Sequence, residues 1–67
     1  MKISARNQIP GRIRSIEHGA VNGTVHVDIG GRIVTSVITE EAINELGLAE
    51  DDDVTVIIKA SDVMIGK

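Results

Sequence analysis

Polar and apolar positions alternate from the start of the chain, but with shifting partners. In "ISARNQ", Ser4, Arg6 and Gln8 occupy every second position, so an extended chain points all three to one face and leaves Ile3 and Ala5 for the other. "GRIRSIE" sets Ile13 and Ile16 among charges and reads as a partly exposed strand. "VNGTVHVDI" alternates cleanly: Val21, Val25, Val27 and Ile29 face one way, Thr24, His26 and Asp28 the other. That register runs through Gly23 without a break, so the turn before it is placed at His18-Gly19 rather than Asn22-Gly23. Gly30-Gly31 marks the next turn, and "RIVTSVI" reads as a third strand.

"TEEAINELG" carries the one helical signature. Thr39 suits the N-cap, and Glu40 and Glu41 suit the positive end of the helix dipole. Ile38 and Ile43 have the spacing of a hydrophobic staple, Ala42, Ile43 and Leu46 form a narrow apolar stripe, and Gly47 suits the residue after the cap. "LAEDDD" follows as an acidic surface connection, "VTVIIKA" as a buried strand and "DVMI" as a short last one. Five short strands, with a helix between the third and fourth, predict a mainly β fold: a small OB-type barrel forming one domain over residues 1–67. Pro10-Gly11 is expected to bend or bulge the first strand, freeing "KISARNQ" to leave the barrel and pair with another chain.

Size and composition sharpen this picture. A chain of 67 residues buries only about 60% of its unfolded surface, so a lone core is marginal. Without cysteine, neither disulfides nor thiolate metal sites can supplement it, and oligomerisation is the expected remedy. No apolar run reaches membrane length and the N-terminus is polar, so a cytoplasmic protein with no membrane partner is expected. The net charge of −3 is uneven: residues 1–36 hold five basic and two acidic side chains, residues 37–67 two basic and eight acidic. With no Phe, Tyr or Trp there is no platform for stacking bases, which together with the acidic balance argues against nucleic acid as a partner.

The candidate chemistry is donor-rich. Ser4 and Arg6 share a strand face; Lys59 and Ser61 repeat the arrangement near the other end; Thr39 adds a hydroxyl at a helix start. Singly, each has a plain explanation: Arg6 as a surface ion pair, Thr39 as a cap, Lys59 as an edge-strand charge. Convergent, they suit a small oxyanion, which offers only acceptors. His18 reads as a turn residue and His26 as a solvated one, and no spacing makes them metal ligands. Glu50 to Asp53 lack the alternating oxygens and glycine of a calcium loop. No nucleophile–base pair is present, so the chain is not read as an enzyme.

"ISARNQIPGRI", "VTSVITEEAINELGL" and "VTVIIKASDVMI" together resemble the molbindins, small molybdate-binding proteins built of a single Mop (TOBE-type) domain. The resemblance spans essentially the whole chain, and "SARNQ" and "KASDVMI" are its most specific parts. It implies an OB-type barrel whose N-terminal strand is exchanged between subunits, and a homohexamer built as a trimer of dimers. It also implies molybdate or tungstate as ligand, bound between subunits, and no further cofactor. By the same resemblance Ser4, Arg6, Thr39 and Lys59 contact the oxyanion, with the N–H of Ala60, and Ser61, completing the pocket. A second type of anion site near symmetry axes would involve Gly19 and its neighbours.

The resulting expectation is intracellular molybdenum storage and homeostasis. The competing readings are a nucleic-acid-binding OB module and a molybdate-responsive interaction module. The absence of any fused region in these 67 residues favours storage.

Overall fold

The structure, a computed structural model, describes residues 1–67. Four strands and one helix follow in the order β1 (Asn7–Glu17), β2 (Asn22–Asp28), β3 (Ile33–Thr39), α1 (Glu40–Leu46) and β4 (Asp53–Ile58), and a single 3-10 turn spans Ala60–Asp62. The strands form one antiparallel sheet in the order β3-β2-β1-β4. Both turns fall where glycine and alternation placed them. The β1–β2 loop covers residues 18–21, and Gly30 and Gly31 take φ of 104° and 92° between β2 and β3. There the Asp28 carboxylate accepts both of their N–H groups at 2.9 Å. α1 also follows its local signals: Thr39 Oγ1 accepts from Ala42 N–H at 3.0 Å, and Gly47 closes the helix in the left-handed region at φ 62°.

The first strand departs from expectation. Pro10 and Gly11 do not break β1; they pair with Thr55 and Val54 of β4 in an unbroken ladder. At Pro10 β1 has only one neighbour, because the β2 ladder begins at Arg12, so the missing N–H disturbs little. Gly11 is needed for close approach: a Cβ there would lie 2.6 Å from Val27 Cγ1 and 2.8 Å from the Asp28 carbonyl oxygen. The irregularity comes later. Ile13 pairs with Val27 and Ser15 with His26, which leaves Arg14 as an extra residue. Strict alternation would send Ile13 and Ile16 to opposite faces. The bulge brings both inward, with Ile13 buried and Ile16 packed against the core.

The fifth strand is absent from the single chain. Residues 63–67 have no partner in the sheet, and Met64 and Ile65 are 92% and 90% exposed. Three smaller expectations also shift. Val21 lies before β2 and is exposed; Leu46 is exposed, and Leu48 packs on the core instead; β4 alternates half-buried and exposed residues as an edge strand, rather than being buried throughout.

The sheet curls without closing. Ser36 and Ile38 on one edge strand line the same groove as Val54 and Val56 on the other, with Ile13, Val25 and Val27 at its floor and a volume of about 740 Å³. The buried core amounts to Ile13, Val25, Val27 and Ile43. Four aliphatic side chains are too few to hold a domain comfortably, and the half-barrel leaves this apolar groove open. No helix is long and apolar enough to cross a membrane.

Candidate anion-binding site

Arg6 and Lys59 flank one end of the β1–β4 ladder. Asn7 and Ile58 are the last pair, held also by Asn7 Nδ2 donating to the Ile58 carbonyl at 3.1 Å. Arg6 immediately precedes that pair and Lys59 immediately follows it, so the chain carries a cation on each strand just beyond the ladder's end. Neither takes part in any of the chain's four salt bridges, which use Arg12, Arg14, His18 and His26. The ion pair expected for Arg6 taken alone is therefore not formed. Adjacent like charges without a counter-charge repel, and an anion between them relieves the repulsion.

The surrounding groups are donors too. Ser4 lies on the exposed N-terminal arm, which forms no strand before Asn7. Ala60 and Ser61 open the 3-10 turn, whose backbone bonds run from Asp62 N–H to the Lys59 carbonyl and from Val63 N–H to the Ala60 carbonyl. The N–H groups of Ala60 and Ser61 start that turn and have no partner within it. Arg6, Lys59, Ala60 and Ser61 thus lie within a few residues of one ladder end, and Ser4 lies on the arm that leads to it.

Thr39 does not join them within the chain. It pairs with Asn22 at the other end of the sheet, beside the β1–β2 loop. Along β1, ten residue steps run from Asn7, beside Arg6, to Glu17, on the side of the sheet where Thr39 pairs. Thr39 Oγ1 spends one lone pair accepting from Ala42 N–H and keeps its own proton for an acceptor.

The remaining polar groups are engaged. Gly19 N–H, a candidate for a second anion site, donates to Glu40 Oε2 at 3.0 Å, and His18 Nδ1 lies 2.7 Å from Glu40 Oε1. These two contacts hold the Glu40 carboxyl below its ordinary value of 4.5, the His18 hydrogen bond first. His26 is less solvated than expected, 3.3 Å from Thr35 Oγ1 and 3.6 Å from Glu17 Oε1. Glu40 is the residue that sequence reasoning missed. As the first residue of a helix it reads as a dipole partner, and nothing local links it to residues 18 and 19, more than twenty positions earlier. The acidic connection is structural: Asp51 N–H donates to the Ile13 carbonyl and Ile13 N–H to that of Asp52, both at 2.9 Å. No cluster of three or more His, Cys, Asp or Glu side chains forms a cation site.

Comparison with known proteins places this geometry in context. The TOBE domain model matches residues 3–65. A probable molybdenum-pterin-binding protein of Haemophilus influenzae is 49% identical over 67 residues, covering 98% of this chain and 97% of that protein. Molybdenum-pterin-binding protein 3 of Clostridium pasteurianum is 44% identical over 66 residues, with 97% of each covered. Among solved structures, a molybdate-binding protein from Sporomusa ovata superposes with a TM-score of 0.95 at 31% identity, each chain fully covered. The cytoplasmic molybdate-binding protein ModG, solved with molybdate bound, superposes with a TM-score of 0.90 at 43% identity, over 96% of this chain and 46% of that one.

Proposed function

The chain belongs to the TOBE-domain family, and on that premise we propose that it binds molybdate and tungstate between copies of itself, as a store of the oxyanion. The observation that carries this reading is that Arg6 and Lys59, neither in a salt bridge, flank the end of the β1–β4 ladder; in the proposed site Ser4, Ser61 and the N–H of Ala60 complete the donor set. Arg6 offers a fork of donors and Lys59 a point charge, a combination suited to a tetrahedral dianion. Thr39 of a neighbouring copy supplies the remaining hydroxyl. The exposed arm before Asn7 and the uncovered groove are the surfaces through which copies meet, the arm exchanging between subunits in a hexamer built as a trimer of dimers. The protein is a cytoplasmic binder and performs no reaction on its ligand.

Several relatives are named for a molybdenum-pterin. A pterin ring calls for a flat side chain to stack on, and this chain has no Phe, Tyr or Trp. The bare oxyanion is therefore the ligand that fits. The same lack of rings, with the net charge of −3, weighs against nucleic acid.

Sulfate shares the charge and shape of molybdate but has shorter bonds, so a pocket fitted to the larger anion leaves its hydrogen bonds stretched. Phosphate near neutral pH carries a proton that a donor-rich pocket serves poorly. Native mass spectrometry with and without molybdate tests assembly and binding together. A hexamer that takes up molybdate is expected, and a monomer that binds it unaided would refute the shared site. Calorimetry should rank molybdate and tungstate well above sulfate and phosphate; equal affinity for all four would refute the ligand.

A further inference from the structure

Glu40 is the first residue of α1 and the neighbour of Thr39, and its side chain is only 20% exposed. Three contacts bind residue 40 to the β1–β2 loop. Its carboxylate meets His18 Nδ1 at 2.7 Å and Gly19 N–H at 3.0 Å, and its backbone N–H donates to the Val21 carbonyl at 2.8 Å. Gly23 makes room for this crossing: a Cβ there would lie 2.5 Å from Glu40 Oε2 and 2.5 Å from Ile43 Cδ1. Asn22, the first residue of β2 after the loop, pairs with Thr39 itself. The helix needs none of this, because Thr39 already caps it and Glu41 already places an acid in its first turn.

We propose that Glu40 is a positioning residue for the oxyanion site: by tying the β1–β2 loop to the start of α1, it fixes the Thr39 hydroxyl in the orientation that donates to the bound anion. The inference rests on the oxyanion reading above. Thr39 Oγ1 is anchored on one side by Ala42 N–H, and its proton is directed only if the backbone of residue 39 is held. The Asn22 pair and the Glu40 tie hold it from both sides. Glu17 and His26 pair with each other at 3.6 Å, and Glu41 is exposed, so the side-chain tie runs through His18 and Gly19.

Charge and positioning predict opposite signs for the loss of this carboxylate. If Glu40 acted only through its charge, removing it would relieve repulsion and tighten anion binding. If it positions Thr39, removal weakens binding despite the favourable change in charge. Calorimetric titration of the full chain with sodium molybdate at neutral pH separates the two, using wild type, Glu40→Gln, His18→Ala, the double variant and Glu41→Gln. Glu40→Gln should bind about three- to tenfold more weakly, the size of one lost hydrogen bond. His18→Ala should weaken binding in the same direction, and the double variant should be no worse than Glu40→Gln, because one tie is broken only once. Glu41→Gln should bind as tightly as wild type or tighter. Melts without ligand, run beside the titrations, identify the folded variants, and His18→Ala carries the test if Glu40→Gln does not fold. Folded Glu40→Gln or His18→Ala protein that binds molybdate at least as tightly as wild type overturns the role of Glu40 and leaves the site intact. Wild type that does not bind molybdate overturns the site and this role together.

Discussion

The two ends of the sheet are built differently. At the end holding the β1–β2 loop and α1, every element is tied within the chain. Thr39 caps the helix, Gly47 closes it, Ile43 is 1% exposed beneath it, and Glu40 fastens the loop. At the other end Arg6 and Lys59 stand unpaired, the arm before Asn7 makes no strand, and the residues after Asp62 expose Val63, Met64 and Ile65. One end is fastened by hydrogen bonds and packing within the molecule; the other carries cations and exposed apolar side chains without such ties. In a chain whose buried core comprises four side chains, the proposed site and assembly surface fall at the less tied end.

The contrast breaks most simply if the open end is removed. Deleting residues 1–6 takes away Ser4 and Arg6 but leaves β1 to start at Asn7. Molybdate binding should be lost and the assembly should dissociate, as read by calorimetry and sedimentation. A truncated chain that still assembles and binds would show that the arm is a bystander.

At the tied end, Ile43→Ala should cost stability instead. Emptying the space of a fully buried isoleucine costs about 2–5 kcal/mol, which thermal or urea melts of the ligand-free protein will register. A melt like that of wild type would mean that α1 is not anchored through Ile43.

Arg6→Ala and Lys59→Ala should invert that pattern. Each removes a charge-assisted contact worth about 1.5–3 kcal/mol, so affinity for molybdate should fall about ten- to a hundredfold. The ligand-free melt should stay near wild type, because neither side chain forms a salt bridge in the chain. Arg6→Lys should also bind more weakly, since a point charge does not replace a fork of donors. Normal binding by Arg6→Ala would remove Arg6 from the site.

The smallest effect expected is at acid pH. Asp28 titrates below its ordinary 3.8, held down by the N–H of Gly31, then that of Gly30, and by Arg14; Glu40 titrates below 4.5. A carboxyl whose value is lower in the folded state stabilises the fold above its unfolded value, and that contribution disappears as pH falls through the folded one. Stability should therefore decline below about pH 4.5 through Glu40 and below about pH 3.8 through Asp28. Asp28→Asn and Glu40→Gln should each flatten part of that decline in melts recorded across the range.

What the sequence alone determined about this protein was local. The Thr39 cap, the acids after it, the spacing of Ile38 and Ile43, and Gly47 specify α1, because each acts within about one helical turn of its target. Gly30 and Gly31 specify their turn because their backbone takes positive φ, and the period-two pattern of β2 needs only neighbouring residues to be read. The donor character of Ser4, Arg6, Thr39, Lys59 and Ser61 is likewise legible one residue at a time. Tertiary structure decided whatever depends on which strand lies beside which. The β4 ladder carries β1 straight through Pro10 and Gly11, and the β2 ladder leaves Arg14 over, so the break expected at one place occurs at another. "DVMI" has the composition of a strand but pairs with no strand of its own chain, and a strand forms only where a neighbour satisfies its backbone. The crossing of Glu40 to His18 and Gly19, and the pairing of Thr39 with Asn22 while Arg6 and Lys59 flank the Asn7–Ile58 pair, depend on which strands lie side by side. Register joins residues tens of positions apart, and no local pattern records which of them will meet.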